Sequence, residues 1–138
     1  MLININPILN PELLYHMRAM GHGDKLVLTD ANFPASSHAL NNKVIRLDDV
    51  NIYEATKAIL SVFPLDSFID SAASRMQVDN KPDELTECHK DFINAVRESA
   101  GENWKVGSIE RQDFYREAKN SYLLVSTSET RPYGCFIL

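Results

Sequence analysis

The short apolar run Leu26-Val27-Leu28 limits what this chain can fold into more than any other feature. Three consecutive apolar residues without alternation read as a strand buried on both faces, and such a strand needs helices above and below it. The neighbouring segments can supply that cover. Asn10 can cap a helix with Pro11 and Glu12 in its first turn, and Leu13, Met17 and Met20 then recur at helical spacing until Gly21 stops it. Lys43–Leu47 is a short strand candidate. Asn51 with Glu54 three residues on makes a cap-and-acid signal for a helix carrying Ile52, Ala55, Ile59 and Val62, ended by Pro64.

The remaining chain repeats the alternation. Ser67–Met76 reads as strand around Phe68-Ile69, although Ser71–Ser74 has no β preference. From Pro82 a helix carries Leu85, Cys88 or His89, Phe92 and Val96 as a buried stripe, with Gly101 as the stop. Trp104–Ile109 can be a strand with Arg111 at its end, and Gln112–Lys119 a short helix with Phe114 and Ala118 on one face. Tyr122-Leu123-Leu124-Val125 is the most strand-like run in the chain; a polar loop, Ser126–Arg131, and a final strand, Cys135–Leu138, follow it. Strands and helices alternating in this way predict an α/β chain, with residues 1–138 as a single domain built around a central sheet covered by helices.

Composition narrows the partners. With 14 basic against 19 acidic residues the net charge is −5, and no Lys/Arg cluster interleaves with aromatics, so nucleic acid is not expected as a partner. Cys88 and Cys135, the only cysteines, lie 47 positions apart without Cys-x-x-Cys spacing, which argues against zinc or a disulfide framework and fits the reducing cytoplasm. No stretch approaches the ~18 apolar residues a membrane span needs. There is no Gly-x-Gly-x-x-Gly and no Gly-x-x-x-x-Gly-Lys, and the histidines at 16, 22, 38 and 89 lack metal-ligand spacing. Neither a nucleotide cofactor nor a metal is expected. Ser36-Ser37-His38 resembles a nucleophile beside a base, but without an orienting third group it reads as a solvated loop.

The segment Met20-Gly21-His22-Gly23-Asp24 leads into the apolar run, which delivers Asp30 at its carboxyl end, where ligands bind in open α/β sheets. An imidazole and a carboxylate thus bracket one strand. At about 3.3 Å per residue, Asp30 lies on the order of 20 Å along the chain from Asp24, so these two carboxylates need not share a site. Phe33, Tyr115, Tyr122 and Tyr133 can stack on a sugar face or fill a core.

Taken together, Pro11-Glu12-Leu13-Leu14, Met20–Asp24, Asp30-Ala31-Asn32-Phe33-Pro34-Ala35, Val44-Ile45-Arg46, Leu65-Asp66-Ser67, Glu110-Arg111-x-x-Phe114-Tyr115-x-x-Ala118 and Tyr133-Gly134 resemble the RbsD/FucU family of sugar mutarotases, closest to its L-fucose branch. The resemblance implies an RbsD-like α/β/α sandwich and an isomerase that interconverts the α- and β-anomers of L-fucose or a similar monosaccharide without cofactor. It implies His22 as proton donor and Asp30, Arg111, Tyr133, Gly134 and Cys135 as substrate-binding positions. It also implies a homo-oligomer, often a toroidal decamer, with sites near subunit contacts. Cys135 stands where the family usually has Asn, and Asn32 and Ser36 stand where some bacterial members have His. Two alternatives stay open: a D-ribose pyranase, and a non-catalytic monosaccharide-binding accessory of sugar uptake. On the residues alone, Arg111 also reads as a surface cation beside Glu110, and Tyr133 as a strand-edge core residue.

Overall fold

The computed structural model describes residues 2–39 and 42–138. In chain order the elements are α1 (Pro11–Ala19), β1 (Leu26–Thr29), α2 (Ala35–His38), β2 (Lys43–Leu47), α3 (Ile52–Leu60), β3 (Ala73–Met76), α4 (Glu87–Ala100), β4 (Val106–Ile109), α5 (Arg111–Asn120), β5 (Leu123–Thr127) and β6 (Phe136–Ile137). Among the described residues the strands form one sheet in the order β2-β5-β1-β6-β3-β4. β6 runs antiparallel to β1 and β3, and the remaining neighbours pair in parallel.

Two-sided burial holds through the centre of the sheet. Every residue of β1 and β5 is buried. Leu26, Leu28, Ile45, Leu47, Leu123, Val125 and Phe136 pack with α1, α3 and α4 on one face. Val27, Leu124, Cys135 and Ile137 pack with Phe33 from the loop after β1, Ala35 of α2 and Phe114 and Ala118 of α5 on the other. Alternate residues of each strand therefore feed opposite layers, which makes the domain an α/β/α sandwich.

Local signals place the helices. The Asn10 side chain accepts from Leu13 N–H at 2.9 Å, and Asn51 and Glu54 form a complete capping box. α1 ends at Ala19, one residue ahead of its cap Met20 and two short of Gly21. Val62 and Leu85 lie outside their expected helices and are exposed. The strand expected around Phe68-Ile69 is displaced to Ala73–Met76, and Phe68 is 86% exposed in the connecting segment. Aromatic and β-branched character pointed to the wrong residues because small side chains, Ala73 and Ser74, are what the crowded position beside β4 admits: a Cβ on Gly107 would lie 3.0 Å from Ser74 Oγ. Ser36–His38 form the short helix α2 instead of a loop.

The apolar C-terminal run needs no cover from outside the chain. β6 occupies an interior place in the sheet, where Phe136 stacks on Phe92 at 4.0 Å and Leu138 exchanges backbone hydrogen bonds with Leu26. Among the described residues no helix is long and apolar enough to cross a membrane.

Candidate active site

The expected site residues fall into two groups at opposite ends of β1. At its carboxyl end, Asp30 is buried and anchors two loops at once. Its Oδ1 accepts from the Asn32 and Phe33 amides, both at 3.0 Å, and its Oδ2 accepts from Gly134 N–H at 3.0 Å and weakly from the Cys135 thiol at 3.6 Å. Those four contacts occupy the acceptor positions of an ionised carboxylate. The antiparallel course of β6 brings Tyr133-Gly134-Cys135 to this end of the sheet, directly against Asp30. The approach is close enough to require glycine, since a Cβ on Gly134 would lie 3.0 Å from Asp30 Cβ and 3.2 Å from Cys88 Sγ.

Arg111 and Tyr133 meet nearby through Asp79, a residue that sequence reasoning missed. Arg111 Nη1 lies 2.9 Å from Asp79 Oδ2, and the Asp79 amide donates to the Tyr133 hydroxyl at 3.3 Å. Both members of the ion pair are about two-fifths exposed, so their polar atoms remain open to a ligand. A second brace fixes the preceding segment. The Arg131 guanidinium grips the buried Glu129 carboxylate at 2.7 and 2.8 Å and reaches Asp91 on α4 at 2.8 Å. The Arg131 guanidinium pulls the Glu129 carboxyl down to about 2, and burial pushes the Cys88 thiol beside Gly134 up to about 12, so it stays protonated. Burial likewise raises the Cys135 thiol well above its ordinary range.

At the other end of β1, His22 stands in the turn between α1 and β1 with its side chain 72% exposed. Its Nδ1 lies 3.4 Å from Asp66 Oδ2, and its ring meets Phe68 edge to face at 5.8 Å. These residues border an open cavity of about 950 Å³ whose lining includes Ser74, Ile109 and Ile137, the last two on the sheet face that also carries α2 and α5. Asp66 belongs to the Leu65-Asp66-Ser67 motif, but only the folded course of the segment after α3 sets it against the imidazole.

Residues 3–138 match the RbsD / FucU transport protein family. The chain belongs to this family. A fucose mutarotase from Danio rerio is 43% identical over 97% of this chain and 89% of its own length. An L-fucose mutarotase from Haemophilus influenzae is 37% identical over the whole chain and 94% of its own length. The crystal structure of the fucose mutarotase from Streptococcus pneumoniae in complex with L-fucose superposes with a TM-score of 0.89 at 37% identity, covering 99% of this chain and 96% of that one.

Within this RbsD/FucU chain the polar groups at both ends of β1 suit hydrogen bonding and proton transfer to a polyhydroxylated ligand. Among the described residues no group of three or more His, Cys, Asp or Glu side chains is disposed to hold a metal ion. His38, half-buried on α2, has its Nδ1 3.0 Å from the Pro34 carbonyl oxygen and packs on Tyr115 and Phe33. Phe33 and Tyr115 stack at 5.5 Å with Phe33 buried, so this pair is core instead of a sugar platform.

Proposed function

We propose that this chain is a mutarotase that interconverts the α- and β-anomers of L-fucose or a closely similar monosaccharide. The observation that carries the reading is an exposed imidazole backed by a carboxylate, His22 on Asp66, in a chain 37% identical to a fucose mutarotase with L-fucose bound. Ring opening breaks the bond between C1 and the ring oxygen. It needs one proton delivered to that oxygen and one removed from the anomeric hydroxyl. His22 supplies the first, and water at the open site takes the second. With Nδ1 turned to Asp66, Nε2 is the nitrogen left to face the sugar, and Asp66 acts as the positioning carboxylate. The open aldehyde turns about the C1–C2 bond and recloses on either face by the reverse proton movements, so no proton, electron or cofactor is consumed.

In this reading Arg111, Tyr133, Gly134 and Cys135 bind the sugar, with Asp79 orienting the Arg111 guanidinium. Asp30 serves chiefly by holding the Tyr133–Cys135 segment, and its weakest partner, the Cys135 thiol, is the one a sugar hydroxyl displaces. Because His22 and the Asp30 group lie at opposite ends of β1, a complete site is assembled between copies of the chain, the His22 end of one meeting the Arg111 and Tyr133 end of another. The exposed Phe68 and the open cavity beside it support such a homo-oligomer. Two free thiols suit work in the cytoplasm.

Saturation-transfer NMR on the anomeric protons of L-fucose tests the function directly. The wild-type protein is expected to transfer saturation between anomers, and His22→Gln, which keeps hydrogen-bonding shape but cannot cycle a proton, is expected to abolish the transfer. Transfer at the wild-type rate in the variant would remove His22 from the mechanism, and no transfer in the wild type would remove the activity.

A further inference from the structure

We infer that His89 is a positioning residue for the sugar-binding segment: its imidazole and the Asp30 carboxylate grip opposite ends of the Tyr133–Gly134 peptide and hold that peptide in one orientation. The functional consequence rests on the mutarotase reading, but the grip itself does not.

His89 lies on α4 with no solvent exposure. Its Nδ1 faces the Thr86 amide at 3.3 Å, and its Nε2 faces the Tyr133 carbonyl oxygen at 3.1 Å. A backbone N–H can only donate, so Nδ1 is the bare acceptor, and the ring proton sits on Nε2 and is donated to Tyr133. The next amide along the chain, Gly134 N–H, donates to Asp30 Oδ2 at 3.0 Å. The Tyr133 carbonyl and the Gly134 N–H belong to one planar unit and point in opposite directions. Either partner alone would leave the plane free to swing about the other; the two together fix it.

The segment needs such a device. Tyr133 has φ +61°, in the left-handed region that costs a non-glycine residue roughly 1–2 kcal/mol. A conformation of that kind persists only where the surroundings determine it more than once. Reversing the peptide would turn its carbonyl toward the Asp30 carboxylate and its N–H toward the His89 N–H, two repulsive pairings. The imidazole is also wedged, edge-on to Phe136 at 6.0 Å and to the Tyr133 ring at 6.5 Å. Burial, with help from the Arg75 guanidinium on β3, holds the ring's pKa down at about 4, which keeps it neutral with a single N–H at the pH where sugars are turned over. The Tyr133 side chain, whose hydroxyl meets Asp79, is thereby presented next to Arg111.

Two variants separate the grip from mere space-filling. In His89→Gln the side-chain amide nitrogen falls where Nε2 was and can still reach the Tyr133 carbonyl. In His89→Asn the side chain ends near the Nδ1 position, so it keeps the Thr86 contact and loses Tyr133. His89→Asn is expected to raise KM for L-fucose about tenfold while kcat changes less than about threefold, and His89→Gln to keep KM within about threefold of wild type. Hydrogen exchange of the Gly134 amide, followed by NMR without sugar, is expected to be slow in the wild type and in His89→Gln and faster in His89→Asn. A wild-type KM and protected Gly134 in His89→Asn would overturn the proposal, as would equal damage from both variants. Should His89→Asn fail to fold, loss of Gly134 protection in His89→Gln overturns it and retention upholds it. A wild-type protein without anomer exchange would sink the mutarotase reading, while the Gly134 amide would still decide the grip.

Discussion

At the scale of single residues, the buried titratable groups predict how stability follows pH. His89 has a folded pKa of about 4 against an ordinary 6.5, so between those values the unfolded chain binds the proton that the folded one excludes. Its contribution is therefore full above pH 6.5 and lost as pH falls toward 4, by up to roughly 3 kcal/mol. Glu129 is shifted in the same direction but by its ion pair with Arg131, about 2 against 4.5, so its stabilisation is present above pH 4.5 and is lost as pH falls through 2. Calorimetry is expected to show Tm declining from pH 7 to pH 4, and His89→Gln to flatten that span; parallel profiles for the two proteins would assign the loss elsewhere. Gly134→Ala forces a methyl to within 3.0 Å of Asp30 Cβ and 3.3 Å of Glu129 Cγ. The expected cost is about 1–3 kcal/mol with weakened sugar binding, and an unchanged denaturation midpoint would contradict the tight approach. Cys135 is buried with its thiol only weakly bonded to Asp30, so Cys135→Asn is expected to change sugar affinity less than about tenfold, as read by titration calorimetry. A larger gain would mean that the side chain itself contacts the sugar.

At the scale of elements, caps and apolar faces explain most boundaries. Asn51 closes the α3 capping box on the face of the domain that holds α1 and α4 and takes no part in either half of the site. Asn51→Ala is expected to cost about 1 kcal/mol, lowering the urea midpoint with an unchanged slope, and to leave anomer exchange at the wild-type rate. A midpoint equal to wild type would mean that packing of Ile52, Ala55 and Ile59 alone sets the start of α3. The segment between α3 and β3 obeys a different logic. Its aromatic Phe68 faces outward against His22, and β3 begins only where small side chains permit close pairing. Propensity therefore located a strand in the right region and on the wrong residues.

At the scale of the whole molecule, separation of His22 from Arg111 and Tyr133 is the organising fact. On the proposed shared-site reading a monomer would leave each half-site without the other, so light scattering is expected to report a mass above the 15.6 kDa of one chain. Co-refolding inactive His22→Gln with inactive Arg111→Ala is expected to restore part of the activity, because some contacts would then join two intact halves. Activity that stays absent across all mixing ratios would confine each site to one chain.

What the sequence determined by itself is the layering. Leu26–Leu28 carries apolar side chains to both faces, Asn10 and Asn51 start helices through their own side chains, and the Phe114–Ala118 spacing turns one face of α5 inward. These are local consequences of backbone geometry and burial, acting over a few residues, so they can be read in order along the chain. The residue types of the candidate site were suggested only by the shared motifs. Their arrangement was decided by the tertiary structure, because hydrogen bonds such as Gly134 to Asp30 join residues 104 positions apart and depend on β6 entering the sheet antiparallel beside β1. The same applies to Asp66 on His22, Asp79 on Arg111 and His89 on Tyr133. Nothing in the local spacing of these residues marks them as partners; each pair exists because two distant segments are packed to within hydrogen-bonding or ion-pair distance.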